Sequence, residues 1–269
     1  MSAELIFGYV GALLIGLVLG LVGGGGSILT VPLLVYLLGY NPITATAYSL
    51  FVVGASSLVG TVQKHQKRLV DFKTGLLFSF PSFLAVYLSR RFLLPALPDY
   101  FFKSDSFSVS KGMLIMVFFA IIMFWAALSM IKRKVDEESD NSTAAKPQAY
   151  YVTFLQGLVI GSITGIIGAG GGFLYVPALV LWANLPMKKA VGTSLVIISI
   201  NSLIGFTGDL QTIPIEWPFL LKFTGLTIVG VLFGGYFSKK VSNRLLKKGF
   251  GWLILIMSLF IISKELFRF

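Results

Sequence analysis

The chain has 269 residues, 56% of them apolar and 12% charged, with a mean hydropathy of +0.87 and a formal charge of +11. That is more apolar surface than soluble domains of this length can hide, so the composition excludes a soluble protein and indicates a multi-pass membrane protein. With no cysteine and a single histidine, His65, disulfides, thiolate chemistry and cysteine-held metals are excluded and little is left for zinc or haem.

The start, MSAELIFGYV, has no basic n-region and carries Glu4, so a cleaved signal peptide is not expected. Apolar helical segments are then predicted at 5–22, 28–39, 42–62, 72–90 and 111–131. The stretch KRKVDEESDNSTAAKPQ (132–148) is polar and charge-mixed, a linker. Beyond it come segments at 150–167, 173–184, 188–208, 217–237 and 248–266. The segments 28–39 and 173–184 are too short to cross hydrocarbon, which takes about 20 residues. Each follows a glycine cluster, Gly23–Gly26 or Gly168–Gly172, that breaks a helix, so each is read as the returning arm of a hairpin.

The two sets of segments are copies. Residues 16–60 align without a gap on residues 161–205 at a shift of 145, with 16 of 45 positions identical, among them Gly25/Gly170, Pro32/Pro177 and Ser49/Ser194. A first repeat over 1–131, a linker over 132–149 and a second repeat over 150–269 follow. Basic residues choose the orientation. Lys64, Lys67, Arg68, Lys73, four bases of the linker, Lys188, Lys189 and five bases between Lys239 and Lys248 make 15 of the 22 if all face the cytoplasm. The loop 63–71 is then cytoplasmic, while its counterpart 208–216 holds Asp209 and Glu216 and no base. The expected fold is therefore an all-α integral membrane protein of two inverted repeats. Each is a broken-helix hairpin plus three transmembrane helices, giving eight to ten helical segments, with the linker cytoplasmic and both termini outside. Arg90 and Arg91 fit this poorly, since they would be external, and a parallel-repeat arrangement of eight spans is the alternative.

Broken helices paired in two halves are where secondary transporters bind substrate. Irregular backbone inside hydrocarbon survives only when buried in protein or lining a wet cavity. The helix after each break offers unpaired N–H groups and a positive dipole end, with Ser27 as a plausible N-cap in the first half; two such ends at one cavity suit a small oxyanion. Gly24, Gly25, Gly26 and Ser27 with Gly170, Gly171 and Gly172 are the candidate site. Polar residues of the third segments join them: Ser49, Ser56, Thr193, Ser194 and Asn201. Ser49/Ser194 and Ser56/Asn201 are repeat equivalents seven residues apart, on one helical face, and Asn201 is the strongest donor there. The competing reading is interhelical hydrogen bonding, and scattered Gly8, Gly11, Gly16 and Gly20 are read as packing residues. His65 and Asp209 are the candidates for proton coupling, against solvated loop charges. Neither glycine cluster spells a nucleotide-binding loop.

The motifs GGGGSILTVPLL and GAGGGFLYVPAL, followed by AVGTSL at 190–195, resemble the duplicated signature of the TauE/SafE sulfite exporter family, and the resemblance covers nearly the whole chain. It implies a carrier of sulfite, sulfoacetate or other organosulfonates driven by an ion gradient. The first repeat departs from the signature, with Tyr48 where the second has Thr193. No cofactor is expected and no enzyme activity, since the spans lack paired acids. Expected partners are membrane lipids, a small anion, a coupling proton or sodium ion and a second copy in a homo-oligomer, with no nucleic acid. A passive anion channel or a carrier of another carboxylate or inorganic anion is the alternative.

Overall fold

The computed structural model describes residues 3–103, 108–132, 150–183, 185–238 and 243–267. The expected linker therefore lies outside the described residues except for Lys132. Ten helices are described, five before the linker and five after it. The first five are α1 (Ala3–Val22), α2 (Gly26–Leu37), α3 (Pro42–Gln66), α4 (Phe72–Ala96) and α5 (Lys111–Lys132). The second five are α6 (Tyr150–Ile167), α7 (Gly172–Leu181), α8 (Met187–Asp209), α9 (Trp217–Phe237) and α10 (Asn243–Phe267). Among the described residues α1, α3, α4, α5, α8 and α9 are long and apolar enough to cross a membrane. Large apolar side chains such as Phe7, Leu14, Phe80, Trp125, Leu232 and Ile256 stand exposed on the outside of the bundle, as a lipid-facing surface requires.

Local chemistry sets the helix starts. Pro42 opens α3, where Asn41 Oδ1 accepts from Ile43 N at 2.9 Å. Asp71 caps α4 by accepting from Thr74 N at 3.1 Å and Thr74 Oγ1 at 3.0 Å. Ser27 is not the cap expected of it. It lies inside a 3-10 turn, Gly24–Leu29, and its Oγ donates back to the Gly24 carbonyl at 2.6 Å. Two further features were not expected. Helix α4 continues past residue 90 through a π turn, Ser89–Leu93, and a short antiparallel hairpin, β1 (Tyr100–Lys103) with β2 (Ser108–Ser110), joins it to α5.

The packing follows the repeat. Helix α1 lies against α9, and its equivalent α6 lies against α4, the equivalent of α9. Likewise α3 packs on α9 as α8 packs on α4, while α3 meets α8 and α5 meets α10. These contacts interlace the two halves rather than separating them. Their directions can be read from the glycines. Gly16 rests on Thr227 and Gly230, and Gly20 on Val231 and Gly234, so α1 and α9 run parallel. Gly157 rests on Pro81, and Gly165 on Val86 and Ser89, so α6 and α4 also run parallel. Gly54 faces Leu203 and Gly60 faces Leu195, so α3 and its repeat equivalent α8 run antiparallel. Small residues let these backbones come close, the usual basis of helix association in lipid.

Candidate functional site

The two glycine clusters meet at the centre. Helix α2 folds back along α1, with Leu33 beside Gly11 and Leu38 beside Gly8. Its tip touches the tip of the α6–α7 hairpin. A Cβ on Gly172 would fall on the backbone of Gly24, and a Cβ on Gly24 would fall on Gly172 and Ile198. The tips therefore touch backbone to backbone, and the space around them is bounded by α3 and α8. Gly170, at φ +69°, lies against Val53 of α3 and Ile198 and Ser202 of α8. Gly171 is also left-handed, at φ +70°, and precedes the first residue of α7.

The polar residues of α3 and α8 divide into three groups. Ser49, Ser56, Ser57 and Ser202 are buried, and their hydroxyls find no hydrogen-bond partner among the described residues. Asn201 is 1% exposed, and its Nδ2 donates to Ser82 Oγ and to Tyr175 Oη, each at 2.8 Å. Ser82 and Tyr175 also bond each other, so three side chains from α4, α7 and α8 close a buried network, with Oδ1 of Asn201 left over. Both partners are hydroxyls, which donate and accept alike. Turned over, the same amide could accept from only one of them, because the Ser82–Tyr175 bond already uses one of the two hydroxyl protons, so the orientation with Nδ2 donating to both is the one that completes the network. The repeat counterparts of Asn201, Tyr175 and Ser82 are Ser56, Thr30 and Thr227. These shorter side chains do not connect: the hydroxyls of Ser56 and Thr30 lack partners among the described residues, and Thr227 bonds its own helix at Phe223 O, 2.9 Å away.

The third group ties loops. Thr193 Oγ1 accepts from Asp71 N at 2.9 Å, fixing the α3–α4 loop to α8. In the other half Tyr48 Oη accepts from Glu216 N at 2.7 Å, fixing the α8–α9 loop to α3. Asp71 and Glu216 are repeat equivalents, and so are Thr193 and Tyr48. One bond is thus kept in both copies by chemically different side chains, and the departure at Tyr48 preserves a function. Ser194 bonds its own helix at Val191 O, 2.9 Å away.

The charged candidates separate. His65 is exposed at the end of α3, with its ring edge on Phe72. Asp209 is buried at the end of α8, beside a residue that sequence reasoning did not select. Arg90, left among external charges by the loop count, is 0% exposed, and its Nη1 lies 3.3 Å from Asp209 Oδ2 and donates to Thr46 Oγ1 at 3.0 Å. The π turn extends α4 far enough to carry Arg90 into the protein. The repeat counterpart of Asp209 is Lys64, which is also buried and donates to Ser238 Oγ at 3.2 Å.

A helical bundle of interlaced segments, apolar outside, with short helices folded back at two glycine clusters and hydroxyls unpaired among the described residues, defines a polytopic membrane protein of the transporter class. The sulfite exporter TauE/SafE family model matches residues 9–261, and the chain belongs to that family. Among similar proteins, the "Probable membrane transporter protein" of Xylella fastidiosa (strain 9a5c) is 26% identical over 94% of this chain and 92% of its own. The "Probable membrane transporter protein YunE" of Bacillus subtilis (strain 168) is 29% identical over 88% of each. A third relative carrying that description, MJ0441 of Methanocaldococcus jannaschii, is 26% identical over 72% of this chain and 69% of its own. No solved structure matches the chain significantly.

Proposed function

We propose that the chain is a secondary transporter that carries small sulfur-containing anions, sulfite, sulfoacetate or related organosulfonates, by alternating access across the cell membrane. The observation that carries this reading is the antiparallel crossing of α3 with its own repeat equivalent α8, around touching glycine tips and beside buried hydroxyls that have no partner among the described residues. Repeat-equivalent helices running in opposite directions are what two halves inverted across a bilayer require. Buried hydroxyls without partners are costly unless a ligand or ion uses them. The anion is held beside the tips by Ser49, Ser56 and Ser202 and by the start of α7.

Orientation follows from charge. The end of the bundle that joins the α3–α4 loop to the last turn of α9 holds Lys64 and Lys67, and Lys67 Nζ donates to Gly235 O at 2.8 Å. We place this end, and the linker 132–149, in the cytoplasm, with both termini outside. The natural sequence lacks cysteine, so single cysteines at Gln66 and Gln211 report their faces cleanly. An impermeant maleimide should label Gln66→Cys only from the cytoplasmic side and Gln211→Cys only from outside; the reverse would overturn the orientation.

Transport is tested in proteoliposomes. Saturable uptake of sulfite or sulfoacetate, with counterflow when unlabelled anion is trapped inside, is the expected result. Linear flux without counterflow would indicate a channel, and no flux of either anion would sink the sulfur assignment.

A further inference from the structure

Arg90 is the largest fully buried side chain described, and only part of its hydrogen-bonding capacity is used. Nη1 serves Thr46 and faces Asp209, but Nε and Nη2 have no partner among the described residues. A guanidinium has five donors in a rigid plane, and Nε with Nη2 forms the side-on edge that matches two oxygens of one oxyanion. A buried cation whose edge has no hydrogen-bond partner among the described residues is expensive to keep, and a structural ion pair with Asp209 does not require it. We propose that Arg90 is a substrate-binding residue, its Nε/Nη2 edge holding two oxygens of the transported anion at the tip of the α6–α7 hairpin. This deepens the reading above and rests on it.

Three observations place the edge where an anion would be read. Nη2 lies directly against Gly168, and a Cβ there would collide with Nη2 and with Thr46. Gly168 is also at φ +70°, so glycine is required on both counts, and only glycine lets the fork reach the tip. Gly168 opens the run of left-handed glycines, 168, 170 and 171, that leads to the start of α7, where Leu174 N and Tyr175 N already donate to the Gly171 carbonyl and the N–H groups of Gly172 and Phe173 precede the helical ladder. The π turn that delivers Arg90 is a form often found at functional positions in helices.

The repeat supplies a control. The counterparts of Arg90, Thr46, Asp209 and Gly168 are Gly235, Val191, Lys64 and Gly23. At the other end Gly23 rests on the apolar Val191, and the place of Arg90 is taken by a glycine filled by Gln63. Among the described residues that end holds no buried arginine, and its buried cation is Lys64, which donates to Ser238 Oγ. The Arg90 cluster has been added to one half alone, which is what chemistry on one side of a substrate path requires and scaffolding does not. Asp209 balances Arg90 when no anion is bound, so it also weakens binding of an incoming anion by like-charge repulsion.

The test uses the full chain in detergent, with sulfite and sulfoacetate as probes, read by calorimetric titration and by ligand-induced rise in unfolding temperature. Asp209→Asn should tighten binding by about tenfold or more, because the competing charge is removed. Arg90→Gln in the Asp209→Asn background replaces the ion pair by a neutral pair, so it should fold, and it should lose binding by about a hundredfold, the order of a charge-assisted bidentate contact. Arg90→Lys keeps the charge without the fork and should recover less than a tenth of the wild-type affinity. Chloride, a single atom with no pair of oxygens spaced to match the two parallel donors, should compete far less well than methanesulfonate or acetate. Unchanged anion affinity and transport in the double variant would overturn this assignment and leave the transporter reading intact. Absence of sulfite and sulfoacetate binding in the wild type would overturn both.

Discussion

Replacing Gly172 by alanine tests the tip-to-tip contact at the centre of the molecule. The added methyl would fall on the Cα, carbonyl carbon and oxygen of Gly24, all backbone atoms that no rotamer can move aside. Its carbon would sit roughly 1 Å or more inside the ~3.5–4.0 Å of a favourable carbon contact. The tips must then part, carrying α2 and α7 with them. Overpacking of this kind costs about 1–3 kcal/mol, and a rigid backbone neighbour argues for the upper end. At about 2–4 °C per kcal/mol for a chain of this size class, the unfolding temperature should fall by about 5–12 °C. Tryptophan fluorescence during heating in detergent reads this directly. Gly225→Ala is the control, since nothing described lies within 4 Å of a Cβ there. If Gly172→Ala unfolds within about 1 °C of both the control and the wild type, the tips are not in contact and the central packing is misassigned.

The repeat-related loop ties predict a matched pair of effects. Tyr48→Phe and Thr193→Val each remove one acceptor from a loop N–H and should each cost about 0.5–1.5 kcal/mol in denaturation, although one change deletes a phenol oxygen and the other a threonine hydroxyl. Ser56 and Asn201 should behave oppositely despite their equivalence. Ser56→Ala removes an oxygen without a described partner, so it should leave stability within about 0.5 kcal/mol while lowering the rate of anion uptake. Asn201→Leu breaks the bonds to Ser82 and Tyr175 and should cost about 1–3 kcal/mol. At the α4–α5 hairpin, Lys111 Nζ meets Asp99 at 3.1 Å and the carbonyl of Leu97 at 3.2 Å, and the Asp99 side chain is 83% exposed. Asp99→Asn should therefore change stability by under about 1 kcal/mol, while Lys111→Met, which also strips the Leu97 carbonyl, should cost more by the same chemical denaturation.

The helical segments were legible because apolar runs of membrane length leave few choices, and the ends of α1 and α6 because four glycines within four or five residues do not continue a helix. What escaped the sequence depended on contacts between distant segments. Arg90 and Arg91 look alike at the end of a span; only the π turn and the end of α8, 119 positions on, make the first a buried partner of Asp209. Ser82 and Tyr175 lie on unremarkable apolar faces, and their bond to Asn201 needs three helices to meet. Tyr48 departs from the motif yet accepts from Glu216 N, because repeat alignment compares residue types whereas the fold preserves a position for an oxygen. The β1–β2 hairpin was missed because its strands are too short to show alternation.

The interlacing of the repeats determines which parts can move together. Among the long helices, close backbone contacts join α1 to α9 and α6 to α4, and the loop ties join α4 to α8 and α9 to α3. The rigid units are then α1, α3 and α9 on one side and α4, α6 and α8 on the other, each drawing helices from both halves of the sequence. The seam between them runs along the α3–α8 crossing and the touching tips of α2 and α7, where repeat equivalents meet and buried serine hydroxyls have no partner among the described residues. Rocking across this seam predicts that a cross-link there stops transport, whereas one inside a unit does not. Gly75→Cys with Val196→Cys lies within a unit, and a Cβ on Gly75 stands 3.7 Å from that of Val196, a spacing that suits a disulfide. Gly54→Cys with Leu203→Cys spans the seam, where a Cβ on Gly54 stands 3.1 Å from Leu203 N. In the absence of any native cysteine both pairs oxidise without competitors. Sulfite uptake should survive oxidation of the first pair, vanish on oxidation of the second and return on reduction. Uptake that persists with the second pair fully oxidised would refute movement at the seam, since a bond between α3 and α8 leaves the two units no freedom to rock.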